Sequence, residues 1–441
     1  MLEAELAEVV GAAHVVTDPD LRAGAETDWT GRWRGTARAV VRPGTPAEVA
    51  AVLAACAAAS VPVVPQGGNT GLVGGGVPAG VAGALVLSTR RLTGLEPVLA
   101  DGTVVAGAGA TLAAVQAHAA AAGWQLGMDW AARDSATVGG AIATNAGGLR
   151  VLRWGPARAQ LVGAEVALAS GALLSRVDGP VKDSTGYDLS GLLCGSEGTL
   201  GVLTRLRLRL VPPLPPGRVV ALVGVPGIAA AIGVLAAVRR AVPDLAAAEI
   251  VGDSGMALLD LPAPLPARHA AYLLVEVVGT ADELAEALAG ADGVGDAVLA
   301  ADPADRARLW RYREEVSPAV TAAGVPIKLD VSLPAARLAG VWDALPALVG
   351  TGRTVLYGHL AESNLHVNLL DVPDAEEEAV ADRVLRLVAA AGGSISAEHG
   401  IGRAKTPWLH LTRSPAELAV MRAIKNTLDP TGILNPGVLL P

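Results

Sequence analysis

Residues 63–78 read VVPQGGNTGLVGGGVP, and six glycines fall within the ten residues 67–76. Glycines at this density let the backbone turn through positive φ and bring its N–H groups close to a bulky polar group. Consecutive N–H groups in such a turn form an anion-binding nest, and a pyrophosphate is a common occupant. The stretch has neither the Gly-Lys-Ser/Thr ending of a P-loop nor a Gly-x-Gly-x-x-Gly motif that opens a helix. It therefore predicts a phosphate-binding loop, with a flexible surface linker as the alternative.

The size and charge of the chain limit the classes of protein to which it can belong. It has 441 residues, enough for two or three domains, and a formal net charge of −9, which argues against nucleic acid or an anionic membrane as the main partner. Its two cysteines, Cys56 and Cys194, supply no disulfide framework. The acidic residues 1–5 lack the basic region of a signal peptide. These features predict a soluble cytoplasmic protein.

One uncharged run, Val219–Val238, is long enough at ~20 residues to span a bilayer. It is interrupted by residues 224–227, Gly-Val-Pro-Gly, and its β-branched residues are concentrated before this interruption. The pattern favours a buried strand, a turn and a helix that starts at Ile228 over a membrane-spanning helix. We therefore expect no transmembrane segment.

The N-terminal half alternates short predicted elements with glycine-rich segments. Thr45, Pro46 and Glu48 have the order of a helix start, which predicts a helix over 47–59. Residues 134–148 and 182–202 combine glycine with small hydroxyl residues, as the first glycine-rich stretch does. Three such loops in one domain predict one extended polar ligand that backbone groups contact along its length. The remaining expectations are strands at 84–88 and 103–106 and a helix at 112–122.

Residues 212–217, Pro-Pro-Leu-Pro-Pro-Gly, form a stiff connector at which we place a domain boundary. Beyond it the predicted order is strand, helix, two strands and helix, which is the order of a split βαβ, ferredoxin-like sheet. The strands are expected at 219–225, 246–251 and 271–277, and the helices from Ile228 and Thr280. A long helix over 303–323, a strand at 327–332 and a helix over 335–349 are expected to follow.

Three of the seven histidines, His359, His366 and His399, lie close together near the C-terminal end. The first two belong to a predicted strand–loop–strand, and the two-residue period of a strand places His366 and Asn368 on one face. The loop would bring both imidazoles to one point, whereas a helix would separate them by ~10 Å along its axis. Glu398 adds a carboxylate, and two histidines with one glutamate leave open positions, as in a catalytic metal site. Three unrelated polar loop residues are the alternative that this spacing leaves open.

Six segments together resemble the FAD-linked dehydrogenases of the vanillyl-alcohol-oxidase superfamily, and within it the D-2-hydroxyglutarate and D-lactate dehydrogenase group. These segments are residues 65–78, 131–148, 182–204, 358–368, 397–402 and 435–437. They follow the family's order over nearly the whole chain. Residues 145–155 are most similar to the 2-hydroxyglutarate branch. The resemblance implies an α+β fold. A PCMH-type FAD-binding domain of two α+β subdomains would cover 1–212, a ferredoxin-like α+β cap domain for substrate and metal 213–410, and a segment returning to the flavin 411–441.

The resemblance also implies that the glycine-rich segments bind FAD. The first would surround the pyrophosphate, the second would follow the flavin, the third would lie beside the adenosine, and Asn435 would return beside the isoalloxazine. Because residues 67–76 contain no histidine, to which flavins in this superfamily are often linked, we expect non-covalent FAD. The implied FAD-binding residues are Pro65, Gly67, Gly68, Asn69, Thr70, Gly71, Leu72, Ser135, Gly139, Gly140, Thr144, Asn145, Gly147, Gly148, Glu197, Gly201, Val202 and Asn435.

A metal site is the second implication. In relatives, the positions that match His359, His366 and Glu398 bind the metal. Zinc suits such a set best, and manganese, iron and cobalt accept the same ligands.

The positions that match Arg313, Lys328, Asn368 and His399 bind substrate in relatives, and His399 is the candidate catalytic base because imidazole titrates near neutrality. Ser317 departs from the pattern, since the 2-hydroxyglutarate enzymes usually have threonine there. The hydroxyl is kept, but the missing methyl group weakens the assignment of the substrate. Without the resemblance, Arg313 and Lys328 would be read as part of a solvated helix face and a strand-edge lysine.

These features predict a metal-assisted, FAD-dependent oxidation of a D-2-hydroxy acid to the 2-oxo acid, with D-2-hydroxyglutarate as the best candidate. No nicotinamide fingerprint is present, so the electrons would pass to a flavoprotein, a quinone or another acceptor. A homodimer is compatible with this interpretation. The alternatives are a D-lactate or glycolate dehydrogenase, a non-catalytic FAD-binding subunit of an oxidase complex, and a zinc hydrolase, which would leave the glycine-rich loops unexplained.

Overall fold

A computed structural model describes residues 2–440; Met1 and Pro441, at the ends of the expected first and last ranges, lie outside the described residues. The chain divides into two compact units. The first unit comprises Met1–Gly148, Trp154–Pro213 and Glu398–Pro441, and the second comprises Leu149–Arg153 and Leu214–Ala397. Helices and sheets occur in both.

The first unit begins with a four-stranded sheet in the order β1-β2-β4-β3, in which the last three strands are parallel. Its strands are β1 (Val15–Val16), β2 (Ala39–Val41), β3 (Val63–Gln66) and β4 (Leu85–Ser88). Its helices are α1 (Leu2–Val10), α2 (Pro19–Glu26) and α3 (Pro46–Ala58). All residues of β2 and β4 are buried, as expected for parallel strands that are covered on both faces.

Helix α3 forms where the Thr45–Pro46–Glu48 pattern predicts it. The Thr45 hydroxyl accepts the Glu48 N–H at 3.1 Å, and Pro46 occupies the first turn, where no N–H is needed. Val49, Val52, Leu53 and Cys56 are buried at helical spacing, so this one face packs into the core. The chain then passes through β3 directly into the glycine-rich loop.

A second sheet in this unit has the order β5-β9-β7-β8, with β6 paired to β9. Its strands are β5 (Thr103–Gly107), β6 (Gln125–Leu126), β7 (Leu161–Ala167), β8 (Leu173–Ser175) and β9 (Val202–Val211). The helices of this part of the chain are α4 (Leu112–Ala121), α5 (Val138–Thr144), α6 (Val151–Trp154), α7 (Ala157–Gln160) and α8 (Leu189–Leu193). The strands and helices predicted at 84–88, 103–106 and 112–122 are therefore found to within a residue.

The second unit is one seven-stranded antiparallel sheet in the order β13-β10-β12-β11-β15-β16-β14. Its strands are β10 (Arg218–Val225), β11 (Leu245–Gly252), β12 (Ala271–Val278), β13 (Ala297–Ala300), β14 (Ile327–Ser332), β15 (Arg353–His359) and β16 (Asn364–Leu370). The first four have the spatial order 4-1-3-2 of a ferredoxin-like sheet, and three of them, β10, β11 and β12, lie where the sequence predicted strands. The helices are α9 (Ile228–Ala241), α10 (Asp253–Met256), α11 (Ala281–Ala289), α12 (Pro303–Glu314), α13 (Val316–Ala322), α14 (Ala335–Ala344) and α15 (Glu377–Ala390).

The uncharged run Val219–Val238 is a buried strand, a turn and a helix, since β10 ends at Val225 and α9 begins at Ile228. Over residues 2–440, no helix combines the length and the hydropathy that crossing a membrane requires.

Two predicted helices are shorter than expected, and proline explains both. The helix expected over 303–323 is interrupted at Glu315, because Pro318 has no N–H to donate to the carbonyl one turn earlier. The helix expected over 335–349 ends at Ala344 and continues as a 3₁₀ turn that contains Pro346.

The C-terminal residues return to the first sheet after helix α16 (Pro415–Leu428). The Val63 N–H donates to the Ile433 carbonyl and the Asn435 N–H donates to the Val63 carbonyl, each at 2.8 Å. Lys425 on α16 donates to the Leu434 carbonyl at 2.8 Å and so fixes the approach. This contact places Asn435 beside the strand from which the glycine-rich loop departs.

Candidate functional site

The first two glycine-rich segments pack directly against each other in the first unit. A Cβ on Gly68 would lie 2.0 Å from the Ser135 carbonyl oxygen, and one on Gly67 would lie 2.3 Å from the Thr137 hydroxyl oxygen. Only glycine permits this approach. Thr137 itself caps α5 by accepting the Gly140 N–H at 3.2 Å. The predicted FAD-binding residues 65–72 and 135–140 are therefore brought together by the fold.

Helix α5 ends at Thr144 and is followed by Asn145, which has the left-handed conformation typical of a helix C-cap. Its side-chain oxygen accepts the Arg158 N–H at 3.0 Å, while the Thr144 hydroxyl donates to the Gly140 carbonyl at 3.0 Å. The Thr144 and Asn145 side chains thus have partners within the protein, and their predicted contact with the flavin stays a prediction.

The third segment and the C-terminal residues meet at Glu197, which has a φ of 51° and is 8% exposed. Its carboxylate accepts the Ile401 N–H at 2.8 Å and the Gly402 N–H at 2.7 Å. The Asn435 side chain donates to the Glu197 carbonyl at 2.8 Å and to the Gly75 carbonyl at 2.9 Å. Burial raises the pKa of Glu197, while the two N–H donors lower it. Glu197 thus joins the glycine-rich loop to residues 401 and 402.

Glu398 and His399 lie beside the second glycine-rich segment. The Glu398 carboxylate accepts the Gly148 N–H at 3.0 Å, and a Cβ on Gly147 would approach the same carboxylate within 2.0 Å. The Glu398 Oε1 lies 3.8 Å from the His399 Nε2. Glu398 and His399 are the two residues after Ala397 in the chain. Ala397 belongs to the second unit, where its N–H donates to the Asp330 carboxylate at 3.0 Å.

The second unit contains a buried polar cluster centred on Glu249, in strand β11. Glu249 is 2% exposed; its Oε1 lies 2.8 Å from the His359 Nδ1, and its Oε2 accepts the Arg313 Nε–H at 2.7 Å. Burial alone would raise the pKa of Glu249, but the adjacent His359 and Arg313 lower it overall. The Arg313 guanidinium also lies 4.8 Å above the ring of Tyr357, a cation–π contact.

His366 lies next to this cluster on the neighbouring strand β16. Its ring centroid is 5.2 Å from that of His359 and 5.0 Å from that of Tyr357. Across the sheet it is in register with Asp330, which is fully buried and whose Oδ1 lies 3.3 Å from the His366 Nδ1. Each of the two histidines therefore has a buried carboxylate near its Nδ1, at 2.8 Å for His359 and at 3.3 Å for His366.

Lys328 and Asn368 form the next register pair of the same two strands. The Asn368 amide is buried and lies near the Val355 and His366 carbonyls, at 3.5 and 3.4 Å. Burial lowers the pKa of Lys328 to about 8. Ser317 is half-buried near the start of α13. The two-residue period predicted for this region is thus realised, with His366 and Asn368 facing Asp330 and Lys328.

Comparison with known proteins gives one consistent assignment. Residues 37–175 match the FAD binding domain, and residues 214–439 match the C-terminal domain of FAD linked oxidases. The D-2-hydroxyglutarate dehydrogenase of Xanthomonas citri pv. viticola is 39% identical over 465 residues, which cover 98% of this chain and 96% of that protein. The mitochondrial D-2-hydroxyglutarate dehydrogenase of Bos taurus is 37% identical over 98% of this chain and 82% of its own.

The chain belongs to the FAD-linked oxidases, in the D-2-hydroxyglutarate dehydrogenase group.

The structure of p-cresol methylhydroxylase with substrate bound has a TM-score of 0.78 at 17% identity and covers 99% of this chain and 95% of its own. At that identity the similarity concerns the fold alone, and it confirms the expected α+β fold with a PCMH-type FAD-binding domain. As a member of the FAD-linked oxidases, the protein is an FAD-dependent oxidoreductase.

The residues that face one another in this FAD-linked oxidase suit both expected groups. The close approaches of Gly67 and Gly68 to Thr137 and Ser135 bring the first two glycine-rich segments, both expected to bind FAD, side by side. In the second unit, two imidazoles with carboxylates at Nδ1 form the donor arrangement common in zinc sites.

Three residues that define this cluster were missed by the sequence analysis: Glu249, Asp330 and Tyr357. Glu249 is a lone carboxylate in a strand whose eight residues are all buried, and that isolation is a usable signal. Asp330 shares a strand face with Lys328 and Ser332, which the two-residue period could have indicated. The sequence carries no comparable sign for Tyr357, because aromatic residues are common in buried strands.

Proposed function

We propose that this protein oxidises D-2-hydroxyglutarate to the corresponding 2-oxo acid with FAD and a divalent metal. Two named relatives that match it over 98% of its length carry this activity in their names. The observation that supports the proposal most directly is the cluster in the second unit, which sets the two imidazoles proposed to bind the metal beside a buried arginine.

FAD, when bound, supplies the two-electron acceptor. We place it against Pro65 to Leu72, Ser135 to Gly140, Thr144 to Gly148 and Glu197 to Val202, with Asn435 beside the flavin ring. In this proposal residues 1–212 form the FAD-binding domain, and residues 411–441, which include Asn435, return to the flavin. Residues 213–410 form the domain that binds substrate and metal. The absence of histidine from residues 67–76 supports non-covalent attachment.

The metal site in this proposal consists of His359, His366 and Glu398. Zinc is the best match to two imidazoles and one carboxylate, and manganese, iron or cobalt could occupy the same set. When bound, such an ion supplies a Lewis acid that lowers the pKa of a coordinated hydroxyl group. Glu249, at 2.8 Å from the His359 Nδ1, holds the His359 ring in the orientation that directs Nε2 to the metal, and Asp330 lies 3.3 Å from the His366 Nδ1.

The substrate assignment depends on two cations. A second carboxylate on the substrate needs a buried counter-charge, and Arg313 offers a planar guanidinium while Lys328 offers a compact ammonium. Because Arg313 uses Nε for Glu249, its terminal nitrogens are the groups left for a ligand. Asn368 and Ser317 complete the polar contacts, and His399 accepts the proton of the substrate hydroxyl group.

Two further parts of the proposal concern the environment of the protein. Electrons leave to a flavoprotein, a quinone or another acceptor that is not a nicotinamide, because the sequence has no nicotinamide fingerprint. A cytoplasmic location and a homodimer, both compatible with the sequence, remain predictions.

The test is a panel of D- and L-2-hydroxy acids with an artificial electron acceptor, combined with the flavin and metal content of the purified protein. We expect flavin with one metal, and a preference for D-2-hydroxyglutarate over D-lactate and glycolate. Arg313→Ala should lower kcat/KM for the dicarboxylate roughly 30-fold or more, and for D-lactate less, because a truncated buried charge pair costs ~2–5 kcal/mol.

Three results would contradict the proposal. Flavin without metal and without turnover would indicate a non-catalytic FAD-binding subunit. A preference for D-lactate or glycolate would move the substrate to a monocarboxylate. An equal loss on both substrates in Arg313→Ala, with metal affinity unchanged, would show that Arg313 does not contact the distal carboxylate.

A further inference from the structure

Glu249 occupies an unusual place for a charged residue. Strand β11 lies inside the seven-stranded sheet between β12 and β15, and all eight of its residues are buried. A carboxylate in such a strand is costly unless both of its oxygens have partners. Each oxygen of Glu249 has a charged or polar partner at 2.7–2.8 Å, and the two partners, Arg313 and His359, belong to different elements.

We propose that Glu249 is a positioning residue that couples recognition of the substrate's distal carboxylate to the metal site. The inference depends on the function proposed above, in which Arg313 binds that carboxylate and His359 binds the metal. One carboxylate fixes both: it holds His359 at Nδ1 and so presents Nε2, and it holds Arg313 at Nε and so aims the terminal nitrogens.

The geometry supports a shared function rather than two separate contacts. Arg313 is 6% exposed, and its guanidinium is held between Glu249 and the ring of Tyr357, at 4.8 Å from the ring centroid. Tyr357 in turn lies 5.0 Å from the ring of His366, the second metal ligand of the proposal. A shift of the Glu249 carboxylate would therefore move the substrate anchor and a metal ligand together.

Asp330 provides a matched control within the same sheet. It is also fully buried and also lies at the Nδ1 of a proposed metal ligand, here His366, at 3.3 Å. Arg313 pairs with Glu249 and not with Asp330. Glu249→Gln and Asp330→Asn each replace a buried carboxylate beside a proposed metal-binding histidine; Asp330 also accepts the Ala397 N–H at 3.0 Å, and only Glu249→Gln alters the partner of the arginine.

The experiment measures two quantities on the FAD-loaded protein. Zinc affinity is determined by competition with a chromophoric chelator, without substrate, and KM for D-2-hydroxyglutarate and D-lactate is determined at saturating zinc. We expect both variants to bind zinc ~10–100-fold more weakly, as for other partners of metal-bound histidines. Only Glu249→Gln should also raise the ratio of the KM for D-2-hydroxyglutarate to that for D-lactate, by about tenfold.

The outcomes separate this inference from the proposed function. Wild-type protein that binds none of zinc, manganese, iron(II) and cobalt, or does not oxidise D-2-hydroxyglutarate, would remove the proposed function. Wild-type protein that does both, with Glu249→Gln leaving the zinc affinity or the KM ratio unchanged, would overturn the coupling alone. A KM ratio raised equally by Asp330→Asn would also overturn it, because a general loosening of the sheet would then explain both.

Glu249→Gln leaves Arg313 buried without its counter-charge, which destabilises the fold. A second pair of variants tests the inference if Glu249→Gln does not fold. Flavin absorbance and circular dichroism report the fold. In that case Arg313→Gln is compared with the double variant Glu249→Gln/Arg313→Gln, which removes both charges. Weaker zinc binding by the double variant supports positioning of His359 by Glu249, and equal zinc affinity in the two overturns it.

Discussion

Lys328 makes the substrate assignment testable by pH alone. Burial lowers the pKa of Lys328 to about 8, because the sheet removes water from the ammonium group. The charged form, which would pair with the distal carboxylate, therefore predominates below pH 8 and is lost as the pH rises. At pH 9 about one molecule in ten would keep the charge, and kcat/KM for D-2-hydroxyglutarate should fall about tenfold per pH unit above that pKa.

Two substitutions separate the charge of Lys328 from its shape. Lys328→Arg keeps a positive charge throughout this range, since arginine titrates above pH ~12, so the decline above pH 8 should disappear. Lys328→Met carries no charge at any pH, so its kcat/KM for the dicarboxylate should be low, by roughly 30-fold at pH 7, and independent of this titration.

The assay is initial-rate kinetics with an artificial electron acceptor between pH 6.5 and about 10, on D-2-hydroxyglutarate and D-lactate in parallel. The ratio of the two kcat/KM values at each pH cancels titrations that both substrates share, such as that of the catalytic base. We expect this ratio to fall above pH 8 in the wild type and to stay level in Lys328→Arg. A constant ratio in the wild type, or an unchanged decline in Lys328→Arg, would refute the assignment of Lys328 to the distal carboxylate.

Three further predictions concern the cofactors and the loop that follows Ala397. Acid or heat precipitation should release FAD into the supernatant, and flavin that stays with the pellet would contradict non-covalent binding. Chelation or His366→Ala should abolish turnover while the flavin absorbance persists, so loss of FAD together with the metal would show that the two sites are not independent. Glu197→Gln should lower the free energy of unfolding by about 1–3 kcal/mol, since one amide oxygen cannot serve both the Ile401 and Gly402 N–H groups. Denaturant unfolding measures this loss. Glu315→Gln is the control, because its side chain is 40% exposed and the change should alter the free energy of unfolding by less than ~0.5 kcal/mol.

Much of the fold could be predicted because local sequence rules agree with tertiary packing here. Thr45 and Pro46 specify the start of α3, and the order of predicted elements after Gly217 is sufficient for the ferredoxin-like sheet. The helix expected over 303–323 was too long because Pro318, which has no N–H to continue the hydrogen-bond ladder, was not taken as a break.

The convergence of the glycine-rich segments could be predicted only in part. Their composition indicated one extended ligand, and the fold does pack Gly67 and Gly68 against Ser135 and Thr137. Their composition could not show that the Glu197 carboxylate would accept the N–H groups of residues 401 and 402. These residues lie 204 and 205 positions after Glu197 in the sequence. Long-range pairing of this kind is decided by the tertiary structure and not by local propensity.

Glu249 shows most clearly how far a single sequence can lead. A carboxylate alone in a strand of small apolar residues must have partners, because an isolated buried charge would not be tolerated. The sequence therefore predicts that partners exist, but the partners are 64 and 110 residues away, and many arginines and seven histidines were available. The structure identifies them as the two residues that the family resemblance had already assigned to substrate and to metal. The proposed substrate residue and the proposed metal ligand thus share one carboxylate. A substitution of Arg313 therefore also removes a partner of Glu249. The effect of that substitution on kcat/KM can be assigned to the substrate only when zinc affinity is measured in the same variant.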